Sequence, residues 1–389
     1  MLTSAEALVV LRALPCAGRA LDVLADYKDA WIVGGAVRDA LLGRLDRGRL
    51  VDVDVVVEGD PEPVARALGE VVASHERFGS YEVVAGDCVF DVVRARTERY
   101  DAPGALPDVT PAGLEDDLLR RDFTINALAL NAAGVLHAAP AAQEDLAAGR
   151  LRVLHAASFR DDPTRLWRMV RYAVRLGFAP EPGTQQYATE AVRAGALETV
   201  SGDRLGTELR LALSELDPLG VLHAAQNQRL VSGLDLDPAR VARALALLPA
   251  EGARPDLTLL GAVIPDGAWA AGYGFTAAEQ RILDRCAALQ PVMASPPAAP
   301  SEVAARLRGE PVEAVAVAGA KGDPETAGLY LHRWRHVGLE IDGHDLIAAG
   351  VAEGPDVGRR LAAALARRLD GDLPPGRDAE LAAALDAAP

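Results

Sequence analysis

Lysine is almost missing from this chain: Lys28 and Lys321 are the only two. Positive charge is therefore carried by arginine, whose planar guanidinium makes bidentate contacts with phosphates and base edges. Positive charge as a whole is also short. There are 40 Lys and Arg against 56 Asp and Glu, a formal net charge of −16. That excludes a uniformly basic nucleic-acid binder, although one local basic face could still bind RNA. Cysteine is scarce too. Cys16, Cys88 and Cys286 are an odd, scattered set without a CxxC pair, which argues against a disulfide framework or a zinc site and suits a reducing cytoplasm. No disulfide partner is expected for any of them. No uncharged apolar run is long enough to span a bilayer, so no membrane association is expected. The first 18 residues are apolar but lack an early positive charge and are broken by Arg12; they read as an amphipathic helix and not as a signal peptide. With 389 residues, half of them hydrophobic and a quarter charged, the chain has the makings of two or three folded domains.

What is present centres on Trp31–Val57, WIVGGAVRDALLGRLDRGRLVDVDVVV. The pattern predicts a strand ending at Gly34-Gly35, a short helix from Ala36, a loop, and a β-branched strand over Val51–Val57. Asp52 and Asp54 are two apart on that strand and project from one face. Paired carboxylates there repel each other unless a cation offsets the repulsion. A hard divalent ion such as Mg²⁺ takes carboxylate and phosphate oxygens together. Gly35 would let a phosphate approach the backbone, and Arg38 on the next helical turn could reach the same anion. The plainer alternative is a tight turn followed by two edge-strand aspartates.

Downstream, Asp60-Pro61 opens an expected helix with apolar residues on one face over Val64–Val72. Tyr81–Ala85 and Cys88–Val93 read as a hairpin around Gly86-Asp87. Asp91 stands on the second of these strands as a third acid, able to activate an attacking hydroxyl in a two-metal arrangement or simply to face solvent. Thr97–Gly113 holds three prolines and two glycines and reads as a long loop. Next comes EDDLLRRDFTINALAL at Glu115–Leu130, where Arg120 and Arg121 could clamp a triphosphate or pair with the preceding acids along a helix. From Arg150 to Arg175 seven arginines face two aspartates, a local net charge of +5. Within FRDDPTRLWRMVRYAVRLGF, Asp162-Pro163 marks a helix start. Leu166, Met169, Val170, Ala173 and Val174 form the expected buried face. Arg165, Arg168, Arg171 and Arg175 line much of the rest.

Gly-Gly-x-Val-Arg-Asp, the following Asp-x-Asp, RRDFTINA and the Asp162-x-x-Arg165 helix together resemble the class II tRNA nucleotidyltransferases. These are CCA-adding enzymes related to bacterial poly(A) polymerases, within the DNA polymerase β-like superfamily. The resemblance covers roughly the first 215 residues well and the tail more loosely. It implies an α+β fold: a polymerase β-like head with a small mixed sheet and flanking helices, then an all-α neck, body and tail. The implied divisions are 1–149 for the catalytic head, 150–200 for the neck, 201–290 for the body and 291–389 for a tRNA-binding tail, with a Pro-rich hinge over Leu289–Ser301. By resemblance, Asp52 and Asp54 hold Mg²⁺ and, with Asp91, are catalytic. Gly35, Arg38 and Arg121 hold phosphates, Asp162 and Arg165 read the incoming base, and Arg168 and Arg171 lie near the nucleotide. The implied partners are tRNA, CTP and ATP. The implied reaction adds C and/or A to the tRNA 3′ end and releases pyrophosphate. An A-adding-only enzyme with a CC-adding partner, or a poly(A) polymerase, are the alternatives. Asp161 stands where the family usually has Glu, and a shorter carboxylate should orient Arg165 less well. IDGHDL and GPDVG near the C-terminus resemble a tail motif of bacterial members. Asp342, His344 and Asp345 there read as caps before they read as a metal site.

Overall fold

The computed structural model describes residues 1–45, 52–75 and 79–387; Val51, the first residue of the expected aspartate strand, lies outside them. Contacts divide the chain into two compact units, residues 1–201 with 215–230, and residues 202–214 with 231–389.

In the first unit, α1 (Ser4–Arg12) and α2 (Pro15–Leu24) replace the single expected N-terminal helix. Pro15 cannot donate an N–H, so it ends one helix and begins the next. Then follow β1 (Ala30–Val33), α3 (Gly35–Leu41), β2 (Val53–Val57) and α4 (Glu62–Leu68). The Asp60 side chain accepts a hydrogen bond from the Glu62 N–H at 3.1 Å, which fixes the start of α4. The helix expected to run to Val72 stops at Gly69, and Glu70–His75 is strand β3 instead. Val71 pairs with Val83 and Ala73 with Glu82 across a bulge at Val72, and that pairing overrides the helical spacing. The expected hairpin is present as β4 (Ser80–Ala85) and β5 (Cys88–Arg94).

β6 (Arg96–Arg99) and β7 (Asp108–Pro111) form a separate antiparallel pair where a structureless loop was expected. Its alternation is ionic and not apolar, so periodicity did not reveal it. At its tip Gly104 has φ +71°, and a Cβ there would lie 2.3 Å from the Thr199 hydroxyl, so a side chain would prevent this close approach. The unit continues through α5 (Leu114–Leu119), β8 (Leu128–Leu130), β9 (Leu136–Ala138), α6 (Ala142–Ala148) and β10 (Arg150–Leu151). After these come α7 (Ser158–Asp161), α8 (Thr164–Leu176), β11 (Ala179–Pro180) and α9 (Pro182–Arg193).

Seven strands make one mixed sheet in the order β3-β4-β5-β2-β1-β8-β9, with β2 and β5 parallel. Val53, Val55, Phe90 and Val92 point one way into the core, each contributing roughly 1.5–3 kcal/mol of apolar burial. The alternation leaves the intervening aspartates on the other face. Contrary to the expectation of unpaired cysteines, Cys16 on α2 and Cys88 on β5 are joined, and only Cys286 is free and buried. The sequence separation of 72 hid a contact that forms when α2 lies on the sheet.

The second unit is helical: α10 (Gly202–Leu213) joins α12 (Pro238–Leu247), α13 (Pro255–Val263), α14 (Ala277–Ala288), α15 (Gln290–Ala294), α16 (Pro300–Leu307), α17 (Val312–Lys321), α18 (Pro324–His332), α19 (Gly343–Ala348), α20 (Pro355–Asp370) and α21 (Arg377–Asp386). α11 (Pro218–Asn227) belongs to the first unit and lies against α8. The Asp342 side chain accepts from the His344 and Asp345 N–H groups, the capping reading of the tail motif. No helix among the described residues is long and apolar enough to cross a membrane.

Candidate active site

The parallel register of β2 and β5 sets Asp54 directly beside Asp91, and the β4–β5 register sets Glu82 beside Asp91. All three side chains are solvent-exposed and share the face opposite Val53, Val83 and Phe90. Asp52 precedes β2 and is close enough for its charge to act on both Asp54 and Asp91. Like charges on neighbouring strands destabilise a sheet. Solvent reaches Asp54, yet the protein around it is dense. This burial, together with Asp91 and Asp52, pushes its carboxyl up to about 6, against the opposing pull of Arg121 and Arg168. Burial, Glu82 and Asp52 also push Asp91 upward. Glu82 was not singled out from the sequence. The signal was available, because a hairpin turning at Gly86-Asp87 places it opposite Asp91.

Gly34, more than Gly35, is the close-approach glycine. Its φ is +69°, and a Cβ there would sit 3.2 Å from Arg121 Nη1 and 3.6 Å from Asp54 Oδ2. Gly35 opens α3, and its missing Cβ faces Arg38 Nη2 at 3.6 Å. A bare backbone thus lies between one cation and one carboxylate.

The donor set fits a divalent ion. The carboxylates supply hard oxygens, and ionising them together is costly unless a cation joins them. Among the described residues no three His, Cys, Asp or Glu side chains converge into a complete metal cage. Two carboxylates, with substrate phosphate and water completing the shell, is the pattern Mg²⁺ prefers.

The arginines are built differently. Arg38 is buried, donating to Asn126 Oδ1 at 2.6 Å and to both Asp39 oxygens. Arg121 donates through Nε and Nη2 to Asp117 Oδ2, and Arg120 donates to Asp117 Oδ1. Asp117 is fully buried, so both sequence readings of the arginine pair hold geometrically: a helix acid grips the arginines, and Arg121 still faces Gly34. Arg120 also donates to Glu98 on β6 at 2.8 Å, which ties the unforeseen hairpin to this corner.

On α8 the expected buried face is only partly right. Leu166, Met169 and Val170 are buried, whereas Ala173 and Val174 are half-buried. Trp167, Tyr172 and Leu176, with the guanidiniums of Arg165 and Arg171, fill the rest. The helix is covered on more than one side, so its arginine stripe is not a solvated face.

Asp162 accepts from the Thr164 N–H and hydroxyl, with Arg165 Nε 3.9 Å from its other oxygen. Arg165 is held by Ser158 Oγ at 2.6 Å and the Arg120 carbonyl at 2.8 Å. Asp161 turns instead toward Arg160 and His155. Arg165 thus donates to the Ser158 hydroxyl and the Arg120 carbonyl, while the shorter acid faces Arg160 and His155. Arg168 donates to Asp122 at 2.7 Å. Burial alone would raise Asp122, but Arg168, Asn126 and Arg165 hold it down to about 2. Arg171 pairs with Glu215, as does Arg175. The guanidinium carbons of Arg38, Arg168 and Arg175 lie 5.4, 5.6 and 5.9 Å from the Tyr172 ring centre. Asp122, Tyr172 and Glu215 were missed as positioning groups, because each meets its arginine only through the fold or one helix turn away.

Residues 30–152 match the family model of the poly A polymerase head domain. An A-adding tRNA nucleotidyltransferase of Halalkalibacterium halodurans is 32% identical over 84% of this chain and 81% of its own length. A CC-adding tRNA nucleotidyltransferase of Deinococcus radiodurans is 34% identical over 85% of this chain and 82% of its own. The solved Thermotoga maritima CCA-adding enzyme complexed with tRNA superposes with a TM-score of 0.73 at 26% identity, covering 99% of this chain and 98% of that one.

Proposed function

Because this chain belongs to the class II tRNA nucleotidyltransferases, enzymes that lengthen the 3′ end of tRNA, we propose that it adds C and/or A from CTP and ATP to a tRNA 3′-hydroxyl. The observation that carries this reading is the in-register Asp54–Asp91 pair beside Gly34 and Arg121. The hydroxyl oxygen bonds to the α-phosphorus, the bond to pyrophosphate breaks, and the hydroxyl proton passes to a carboxylate. Asp91, its affinity for protons raised by burial and by Glu82 and Asp52, is the acceptor in this scheme. Mg²⁺ held by Asp52 and Asp54 would align and polarise the attacking and leaving oxygens. Arg121, with the backbone at Gly34-Gly35, contacts the phosphates. Arg38 supports that corner from below through Asn126.

Asp162 and Arg165 present an acceptor and a donor to the base edge, so selection needs no nucleic-acid template. Arg168 and Arg171 complete the nucleotide wall. Residues 1–149 serve as head, 150–200 as neck, 201–290 as body and 291–389 as tail. The helical part grips RNA by shape and phosphates.

The test is Mg²⁺-dependent incorporation of labelled CTP or ATP onto tRNAs ending before CCA, at C, or at CC. Addition of C and A in turn is expected. Transfer to the CC-ending tRNA alone would select the A-adding reading. Long tails on unrelated RNA would select poly(A) polymerisation. No transfer to any RNA would overturn the proposal.

A further inference from the structure

We propose that two buried hydroxyls, those of Ser158 and Thr164, are positioning residues that set nucleotide selectivity, one for each member of the Arg165–Asp162 pair; this deepens the base-reading proposal above and rests on it. Ser158 on α7 is fully buried, and Thr164 at the start of α8 is 7% exposed. A hydroxyl withdrawn from water needs a hydrogen-bond partner. Each of these two finds it in the pair that faces the base. Arg165 Nη1 donates to Ser158 Oγ at 2.6 Å. The Thr164 hydroxyl donates to Asp162 Oδ1 at 2.6 Å, and the Thr164 N–H donates to the same oxygen at 3.1 Å.

The plainer account makes Asp162 a helix-start turn and Ser158 a mere acceptor for a buried arginine. A turn needs only the Thr164 N–H and leaves the hydroxyl bond unexplained. Nor does a need for acceptors explain why Arg165 is anchored on neutral groups when two aspartates stand beside it in sequence. Its second anchor is the Arg120 carbonyl, reached by Nη2 at 2.8 Å. Arg120 is the C-cap of α5, where the last carbonyls lack a partner within the helix. The Arg120 side chain is braced by Asp117 and Glu98, which steadies that turn. Asp162 Oδ2 lies 3.9 Å from Arg165 Nε, beyond hydrogen-bond length. Asp161 is spent at the rim, 3.5 Å from Arg160 and 3.9 Å from His155. Two neutral acceptors on two elements therefore fix the guanidinium plane, and its positive charge stays available to a base.

That plane decides what is accepted. Cytosine and adenine each show a ring-nitrogen acceptor beside an amino donor. Uracil and guanine show a ring N–H beside a carbonyl. An arginine donor next to an aspartate acceptor matches the first two and opposes the others only while both keep their spacing and plane. A guanidinium free to rotate can donate to the uracil or guanine carbonyl instead. Selectivity is then as good as the anchors are rigid.

Ser158→Ala and Thr164→Val each remove one hydroxyl with little change in volume. The experiment measures kcat/KM in the full chain for CTP, UTP, ATP and GTP on tRNAs ending before CCA and at CC. The readout is the preference for CTP over UTP, or for ATP over GTP, whichever nucleotide the parent incorporates. Ser158→Ala should lower that preference about tenfold and Thr164→Val about threefold, the worth of one hydrogen bond to a charged group. The kcat for the accepted nucleotide should stay within about twofold of the parent. In an Arg165→Ala background Ser158→Ala should change the preference no further, because it acts through that arginine. Asp161→Asn should keep the parent preference. Hydroxyl variants that keep the preference, even with a lower melting temperature, overturn the proposal and leave the two groups a packing role. So does a preference that falls in Asp161→Asn and not in Ser158→Ala. A parent chain that transfers no nucleotide fails the reaction proposed above, whereas a selective parent whose hydroxyl variants stay equally selective fails only this inference.

Discussion

The acids on the sheet and the arginines around α5 and α8 are opposites in construction. Asp54, Asp91 and Glu82 are exposed, in register and mutually repelling. Arg38, Arg165 and Arg171 are buried and already hydrogen-bonded to Asn126, Ser158 and Glu215. The first group is incomplete without a ligand. The second is finished before any ligand arrives. Reaction centres need charge that a substrate or ion will compensate, whereas recognition needs donors that do not move.

The contrast is tested most severely by Asp54→Ala. Transfer should drop by roughly 10³-fold or more, because several kcal/mol of charge stabilisation is lost. The thermal melt of the ligand-free protein should not fall, since ionised Asp54 opposes folding there. Appreciable Mg²⁺-dependent turnover would remove Asp54 from the metal assignment.

Asp117→Asn should do the reverse. It leaves Arg120 and Arg121 without their buried counter-charge, and the loss of stability should be about 3 kcal/mol, seen as a lower midpoint in urea. Nucleotide KM should rise with it. An unchanged midpoint would show that the arginines are held by Glu98 and the backbone alone.

The smallest effect is in pH. Asp54 is raised to about 6, so its contribution to stability is present below its ordinary range and lost as pH rises through about 6. Asp122, held near 2, contributes above its ordinary range and loses that contribution as pH falls through about 2. Metal binding requires ionised Asp54. Activity should therefore fall about tenfold per pH unit below 6 while the fold persists. Isothermal titration with Mg²⁺ and nucleotide should release about half a proton from Asp54 at pH 6, and almost none from it at pH 8. Equal proton release at both values would place the perturbed group elsewhere.

Much of the catalytic face was legible in order along the chain. The β1–turn–α3–β2 frame, the β4–β5 hairpin and the facing of Asp91 follow from β-branched runs, glycines and period-two alternation, all local properties. The helix break at Gly69, the β6–β7 pair and the Cys16–Cys88 link were not legible. The link joins elements far apart in sequence, whereas β3 and β6 each pair with the strand that follows, in patterns whose local periodicity points to helix or loop.

By itself the sequence determined which residue types stand where: an Asp-x-Asp before three valines, adjacent arginines before FTIN, and an arginine every three or four positions on one helix. Backbone periodicity alone then decides which side chains share a face. Only the tertiary structure decided which arginines are free and which are spent. Asp117, Asp122, Ser158 and Glu215 choose that outcome, because a guanidinium withdrawn from water must find acceptors, and the fold determines which acceptors are within reach.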